Sequence, residues 1–141
     1  VTEPNPNAYV WQVRVYWEDT DAGGVVYHSQ YLNFFERART EWLRSRGVHQ
    51  ARLAEEAGVV FAIRRMALDW RRPARLDDLL NVSVHSVSAG AARLDFLQDM
   101  HRADDGAWLA SARVTAVCLD ADTFKPKKMP EHIRLEIKNV E

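Results

Sequence analysis

A single cysteine, Cys118, stands among 141 residues, so no intrachain disulfide framework can form, and the scarcity fits a reducing compartment. Excess charge is missing as well. A formal net charge of -1 gives no long-range pull toward nucleic acid or an anionic membrane. No apolar run approaches the roughly 20 residues that a membrane-spanning helix needs. The opening VTEPNPNAY is polar and proline-containing, unlike a signal peptide, so a soluble, cytoplasmic protein is expected. Neither GxGxxG nor GxxxxGK occurs, which removes the usual phosphate loops. No His or Cys pair has zinc spacing and no dense oxygen-ligand loop is present, so neither a metal nor a cofactor is expected. Repeats, low-complexity tracts and linkers are also absent. That leaves one domain over residues 1–141, with 1–8 as a flexible lead-in.

What is present is an ordinary globular composition, 47% hydrophobic and 28% charged. From Tyr9 the chain alternates, with Trp11, Val13, Val15 and Trp17 on one face and Gln12 and Arg14 on the other, as a strand does. Then Tyr31, Phe34, Phe35, Ala38 and Trp42 recur at helical spacing. Glu36, Arg37, Arg39, Glu41 and Arg44 fill the opposite side, and Gly47 sits where a helix C′ glycine belongs. A shorter helical piece spans Gln50–Ala57 and ends at Gly58. Beyond it the period is that of strands. Val60, Ala62, Met66, Leu68 and Trp70 share a face up to Pro73. Leu80, Val82 and Val84 follow, then Leu94, Phe96, Gln98 and Met100. After an Asp104-Asp105-Gly106 hairpin turn, every second residue from Trp108 to Cys118 is apolar. A loop over 120–130 leads to a short terminal helix. The expected fold is α+β: an antiparallel five-stranded sheet wrapped around one long central helix, the hotdog arrangement. Its sheet edge would need covering, most simply by a second copy of the chain.

Chemistry concentrates in RVYWEDTDAGGVVYHSQY, residues 14–31. A strand that hands over to a helix through glycine leaves backbone N–H groups unpaired at the helix entrance, where an anion or a developing oxyanion is favoured. Glu18, Asp19 and Asp21 place three carboxylates in four positions, and if the strand alternation extends, Asp19 and Asp21 face alike. Asp21 reads two ways, as a reacting carboxylate or as a cap for turn N–H groups. Gly23 and Gly24 serve either reading, since both would adopt unusual backbone angles. His28 falls in the first turn of the helix. With no Ser or Cys elbow nearby, a Ser-His-Asp site is unsupported. Tyr27 and Tyr31 read as packing residues whose hydroxyls reach toward the turn. Arg64, Arg65, Arg71, Arg72 and Arg75 form one basic group, and Lys125, Lys127 and Lys128 another.

The arrangement RV-x4-TD-x2-GVV-x4-Y, from Arg14 through Thr20-Asp21 and Gly24-Val25-Val26 to Tyr31, resembles the signature of the 4-hydroxybenzoyl-CoA thioesterase family. The longer text EDTDAGGVVYHSQYLNFFERARTEWL, with RPARLDDLL and KPKKMP, is similar to the YbgC branch, the Tol–Pal system-associated acyl-CoA thioesterases. The resemblance implies a bacterial thioester hydrolase with catalytic Asp21. It also implies that the His28 backbone N–H points at the thioester oxygen. Gly24, Val25, Tyr27, Tyr31 and Arg72 would bind substrate. The substrate would be a small or fatty acyl-CoA, or acyl carrier protein as carrier, and the site would lie at a subunit interface of a homodimer or homotetramer. A link to phospholipid metabolism or the cell envelope follows from the same resemblance. The chain departs from some hydroxybenzoyl-type members at Ser88-Ala89-Gly90-Ala91, where those carry a basic run. The competing expectation is a non-hydrolysing acyl-binding or scaffold protein of the same fold. A hotdog dehydratase is not supported, because no His-containing FPG-type motif occurs.

Overall fold

In the computed structural model, which describes residues 8–138, the alternation from Tyr9 forms β1 (Tyr9–Arg14). Residues 1–7 of the expected lead-in lie outside the described residues. Tyr9, Trp11 and Val13 pack toward the core, and Val10, Gln12 and Arg14 are exposed. The strand ends before Trp17. Trp17–Asp19 form a 3-10 turn, because Thr20 donates both its N–H and its hydroxyl to the Trp17 carbonyl, at 3.0 and 2.8 Å. Asp19 Oδ2 accepts the Tyr16 N–H at 2.8 Å. Such local side chain–backbone bonds compete with strand extension. Trp17, expected on the inward face, is consequently 81% exposed.

The sheet adds β2 (Val59–Trp70), β3 (Leu79–Val84), β4 (Ser86–Ala89), β5 (Arg93–Arg102) and β6 (Trp108–Asp120). Its order is β1-β3-β5-β6-β2, antiparallel throughout, with β4 also alongside β5. There are thus six strands where five were expected, because the edge after β3 breaks at His85. Pairing with β5 shifts by one residue between Val82↔Met100 and Ser86↔Leu97. At the break the Ser83 hydroxyl donates to the Asp99 carbonyl at 3.2 Å and accepts the Asp99 N–H at 3.1 Å, replacing ladder bonds with side-chain ones.

A second irregularity corrects the face of β2. Its register against β6 slips between Ile63 and Arg65, a bulge that reverses which residues point inward. Phe61, rather than Val60 or Ala62, joins Met66 and Leu68 against the core.

The long helix α1 (Gln30–Ser45) buries Tyr31, Phe34, Phe35, Ala38, Trp42 and Leu43 against Leu80, Val82, Leu94, Phe96 and Val114 of the sheet. Each large apolar side chain buried there contributes about 1.5–3 kcal/mol. Trp42 meets Phe96 edge-on, with ring centroids 5.9 Å apart. Arg39, expected on the polar side, is buried too. It follows Phe35 by four positions and Tyr31 by eight, so helical spacing carries it over the sheet. The helix stops at Gly47, whose φ of +80 is left-handed, and α2 (Gln50–Ala57) stops likewise at Gly58 with φ +66. The terminal helix α3 (Glu131–Lys138) lies against β4. Among the described residues no helix is long and apolar enough to cross a membrane.

Candidate active site

Between the 3-10 turn and α1, residues 20–29 form a loop held from three sides. A bridge between Thr20 and Val26 closes a small hairpin. Inside it Asp21 donates its N–H to the Val25 carbonyl at 2.9 Å, and the Gly24 N–H donates to the Asp21 carbonyl at 3.0 Å. On the second side, Val25 bridges to Arg75 and the Val26 N–H donates to the Ala74 carbonyl at 2.8 Å. On the third, the Tyr27 N–H donates to the Asp19 carbonyl at 2.9 Å.

The two aspartates do not face alike, because the strand that would have aligned them ends too early. Asp19 is buried, with Oδ2 on the Tyr16 N–H and Oδ1 accepting the Gln30 side-chain amide at 2.9 Å. Asp21 is exposed. Its Oδ1 accepts the Gly23 N–H at 2.8 Å, while Oδ2 has no hydrogen-bond partner among the described residues. Only Gly24 needs a left-handed backbone, with φ +77. Gly23 has a different constraint: a Cβ there would sit 3.2 Å from Asp21 Oδ1 and press on the carboxylate.

The helix entrance lies slightly later than expected. Ser29 is the N-cap residue and makes no side-chain cap bond, so His28 precedes α1 rather than sitting in its first turn. The His28 and Tyr27 rings stand 4.5 Å apart at 45°, and both residues are exposed. The Tyr27 N–H is already used by Asp19. Among the described residues the N–H groups of His28 and Ser29 donate to no acceptor. An acceptor atom arriving here would meet two N–H donors at the positive end of a 16-residue helix.

Tyr31 is buried, and its hydroxyl accepts the Ala74 N–H at 3.0 Å, tying α1 to the segment that flanks the loop. Burial pushes the Tyr31 phenol above its usual range. The Ala74 N–H pulls it back, and the carboxylates of Asp78 and Asp21 push it up further. Trp70 stands edge-on to Tyr31 at 6.2 Å and is half exposed, a neighbour that the sequence pattern left in the core.

The structure therefore gathers Asp21, Gly24, Val25, Tyr27, His28 and Tyr31 at one loop–helix junction. Arg72 stands apart. It is exposed at the end of β2, its N–H donates to the Leu109 carbonyl at 3.1 Å, and no hydrogen bond or ion pair joins it to the loop among the described residues. Beside it the Arg71 guanidinium stacks 4.2 Å over the Trp108 ring, and these three residues line a shallow cavity of about 370 Å³. Among the described residues no group of three or more His, Cys, Asp or Glu side chains could hold a metal ion. Sequence reasoning missed the Asp19–Gln30 bond and the Ala74 segment, because partners 11 and 43 residues apart leave no local signal.

An antiparallel sheet packed on one long helix is the hotdog arrangement, and the sequence agrees with that class. Residues 15–137 match the Thioesterase-like superfamily, and the chain belongs to that family. It is 43% identical over 134 residues to the acyl-CoA thioester hydrolase YbgC of Escherichia coli O6:H1, covering 95% of this chain and 98% of that one. The acyl-CoA thioesterase YbgC of Haemophilus influenzae is 42% identical over 128 residues, covering 91% and 93%. Among solved structures, Slr0204, a 1,4-dihydroxy-2-naphthoyl-CoA thioesterase from Synechocystis, superposes with a TM-score of 0.85 at 25% identity, covering 94% and 96%.

Proposed function

We propose that this chain hydrolyses acyl-CoA thioesters, with Asp21 as the reacting carboxylate and the His28–Ser29 entrance of α1 as the oxyanion site. The observation that carries the reading is one braced loop that holds both Asp21 Oδ2 and the His28 and Ser29 N–H groups, all without partners among the described residues. A thioester suits so spare a site. Thiols are acidic enough, about 8.5 for a free cysteine and far below an alcohol, that the thiolate leaves without a strong general acid. Asp21 acts either by attacking the acyl carbon, giving a transient mixed anhydride, or by taking a proton from an attacking water. As the carbonyl oxygen gains charge, the His28 N–H stabilises it, a contribution of about 3–4 kcal/mol per donor in comparable sites. Gly24, Val25 and Tyr27 form the wall around the thioester with Tyr31 buried behind them, and Arg72 with Arg71 faces the anionic carrier, coenzyme A or acyl carrier protein. The identity shared with the YbgC thioesterases over most of both chains supports the acyl-CoA part of this reading.

The working form is a cytoplasmic homodimer or homotetramer. Among the described residues β2 pairs only with β6 and leaves its other edge open, and Ile63 and Trp70 on it are about half exposed. An open edge of that length invites pairing with another copy. Thiol release from a panel of acyl-CoAs of graded chain length tests the activity, and native mass spectrometry tests the assembly. Turnover of at least one member and a mass of two or four chains are expected. Failure to release thiol from any member would leave an acyl-binding protein, and a monomer would remove the shared-interface site.

A further inference from the structure

A second cavity, of about 120 Å³, lies between α1 and the sheet, lined by Glu36, Arg39 and Leu43 on the helix side and by Phe61, Leu94 and Phe96 on the sheet side. Its walls are mostly apolar, yet they hold a cation. Arg39 is only 5% exposed. Its Nη1 donates to Gln98 Oε1 at 3.0 Å, its guanidinium lies 5.9 Å from the Phe96 ring centre, and no carboxylate lies within ion-pair distance among the described residues. Gln98 cannot turn to serve it better, because its amide nitrogen donates to the Phe35 carbonyl at 3.0 Å. Burial brings the Arg39 pKa down to about 10 and Glu36 opposes the shift, so the side chain remains a cation at neutral pH. Glu36 itself is exposed, and its Oε2 already accepts the Thr40 hydroxyl at 2.8 Å.

A buried cation without a counter-ion costs several kcal/mol, a cost that falls when an anion arrives with good geometry. Guanidinium offers carboxylate a two-pronged match, and Arg39 has donors to spare beyond its single bond to Gln98. We infer that this cavity receives the far end of the acyl chain, and that Arg39 selects chains ending in a carboxylate. The inference rests on the thioesterase reading and names its substrate class: thioesters of medium-length dicarboxylic acids. Size agrees with this. At ~30 Å³ for each water-sized group, the cavity takes a carboxylate and one or two methylenes, not a long tail. Arg39 follows Ser29 by ten residues, about 15 Å along the helix at ~1.5 Å per residue, and helix side chains lean back toward the N-terminus.

Matched pairs of acyl-CoAs test this on the full-length protein: hexanoyl against adipoyl, octanoyl against suberoyl, with 8-hydroxyoctanoyl-CoA as a neutral polar control. The expected result is a kcat/KM at least about tenfold higher for each carboxylate-ended member, carried mainly by KM. Arg39→Met should abolish that preference while keeping turnover of octanoyl-CoA, and Arg39→Lys should keep part of it. A wild type that treats suberoyl and octanoyl thioesters alike, or prefers the hydroxyl-ended chain, overturns the inference and leaves the thioesterase reading intact. A preference that survives Arg39→Met overturns it too. Because the wild-type comparison needs no variant, the test stands even where Arg39→Met does not fold. Hydrolysis of none of the five compounds would instead count against the thioesterase reading itself.

Discussion

Asp19 Oδ1 and the Gln30 side-chain amide meet at 2.9 Å, joining the start of the loop to the first residue of α1. The same aspartate holds the Tyr16 N–H through Oδ2 and the Tyr27 N–H through its carbonyl, so one buried residue braces the loop that presents Asp21. Bonds to an ionised acceptor are about twice as strong as neutral ones, and partners left unpaired by its removal lose still more. Asp19→Asn keeps the shape but offers one acceptor oxygen where two are needed. It should lower stability by about 1–3 kcal/mol, read from the midpoint of urea unfolding at constant m. Turnover should fall as well, although Asp19 touches no reacting atom in this account.

The Tyr31 hydroxyl serves the same frame from the other side, as acceptor for the Ala74 N–H. Tyr31→Phe leaves that buried donor without a partner and should cost about 1–3 kcal/mol. The substitution also has a pH signature. The folded phenol titrates above the ~10 of an unfolded tyrosine, so the native state keeps a proton that the unfolded chain gives up. Its contribution is complete below about pH 10 and is lost as pH rises toward the folded value. Stability measured by denaturant at a series of alkaline pH values should decline in the wild type and decline less in Tyr31→Phe. Tyr9, raised mainly by burial, accounts for part of the slope that remains.

Cys118 lies buried in β6, and burial pushes its thiol up against a smaller pull from Lys127. Thiolate is the reactive form, so the native protein should not react with an aromatic disulfide reagent. One thiol per chain should appear once denaturant unfolds it. This matters in practice, because the same reagent can then report thiol release from substrate without background from the protein.

Much of the fold was legible in local period. Alternation at Leu94–Met100 and Trp108–Cys118 and the helical recurrence from Tyr31 to Trp42 each produced the element expected of them, and Gly47 and Gly58 ended their helices. What escaped were departures from period that depend on distant partners. The β2 bulge that turned Phe61 inward, and the one-residue slip that made β4 a separate strand, are set by pairing with β6 and β5. Trp17 was misread because a 3-10 turn interrupts the alternation, and Arg39 because a charge on a helix is normally solvated. The motif residues Asp21, Gly24, Tyr27 and His28 do fall on one loop, but α1 starts at Gln30, later than the motif suggests. The motif could not show that the Tyr27 N–H is spent on Asp19, or that Arg72 stands clear of the loop.

Asp21 carries the account, and its exposure makes it a clean target. Asparagine there preserves the Oδ1 bond to the Gly23 N–H and touches nothing in the core, so the fold should be unchanged by circular dichroism and by unfolding midpoint. The decisive measurement is the rate of thiol release from the best acyl-CoA substrate by wild type and by Asp21→Asn at matched folded concentration. A loss of about 10²–10⁴ in kcat is predicted. Equal rates for the two proteins would contradict the account.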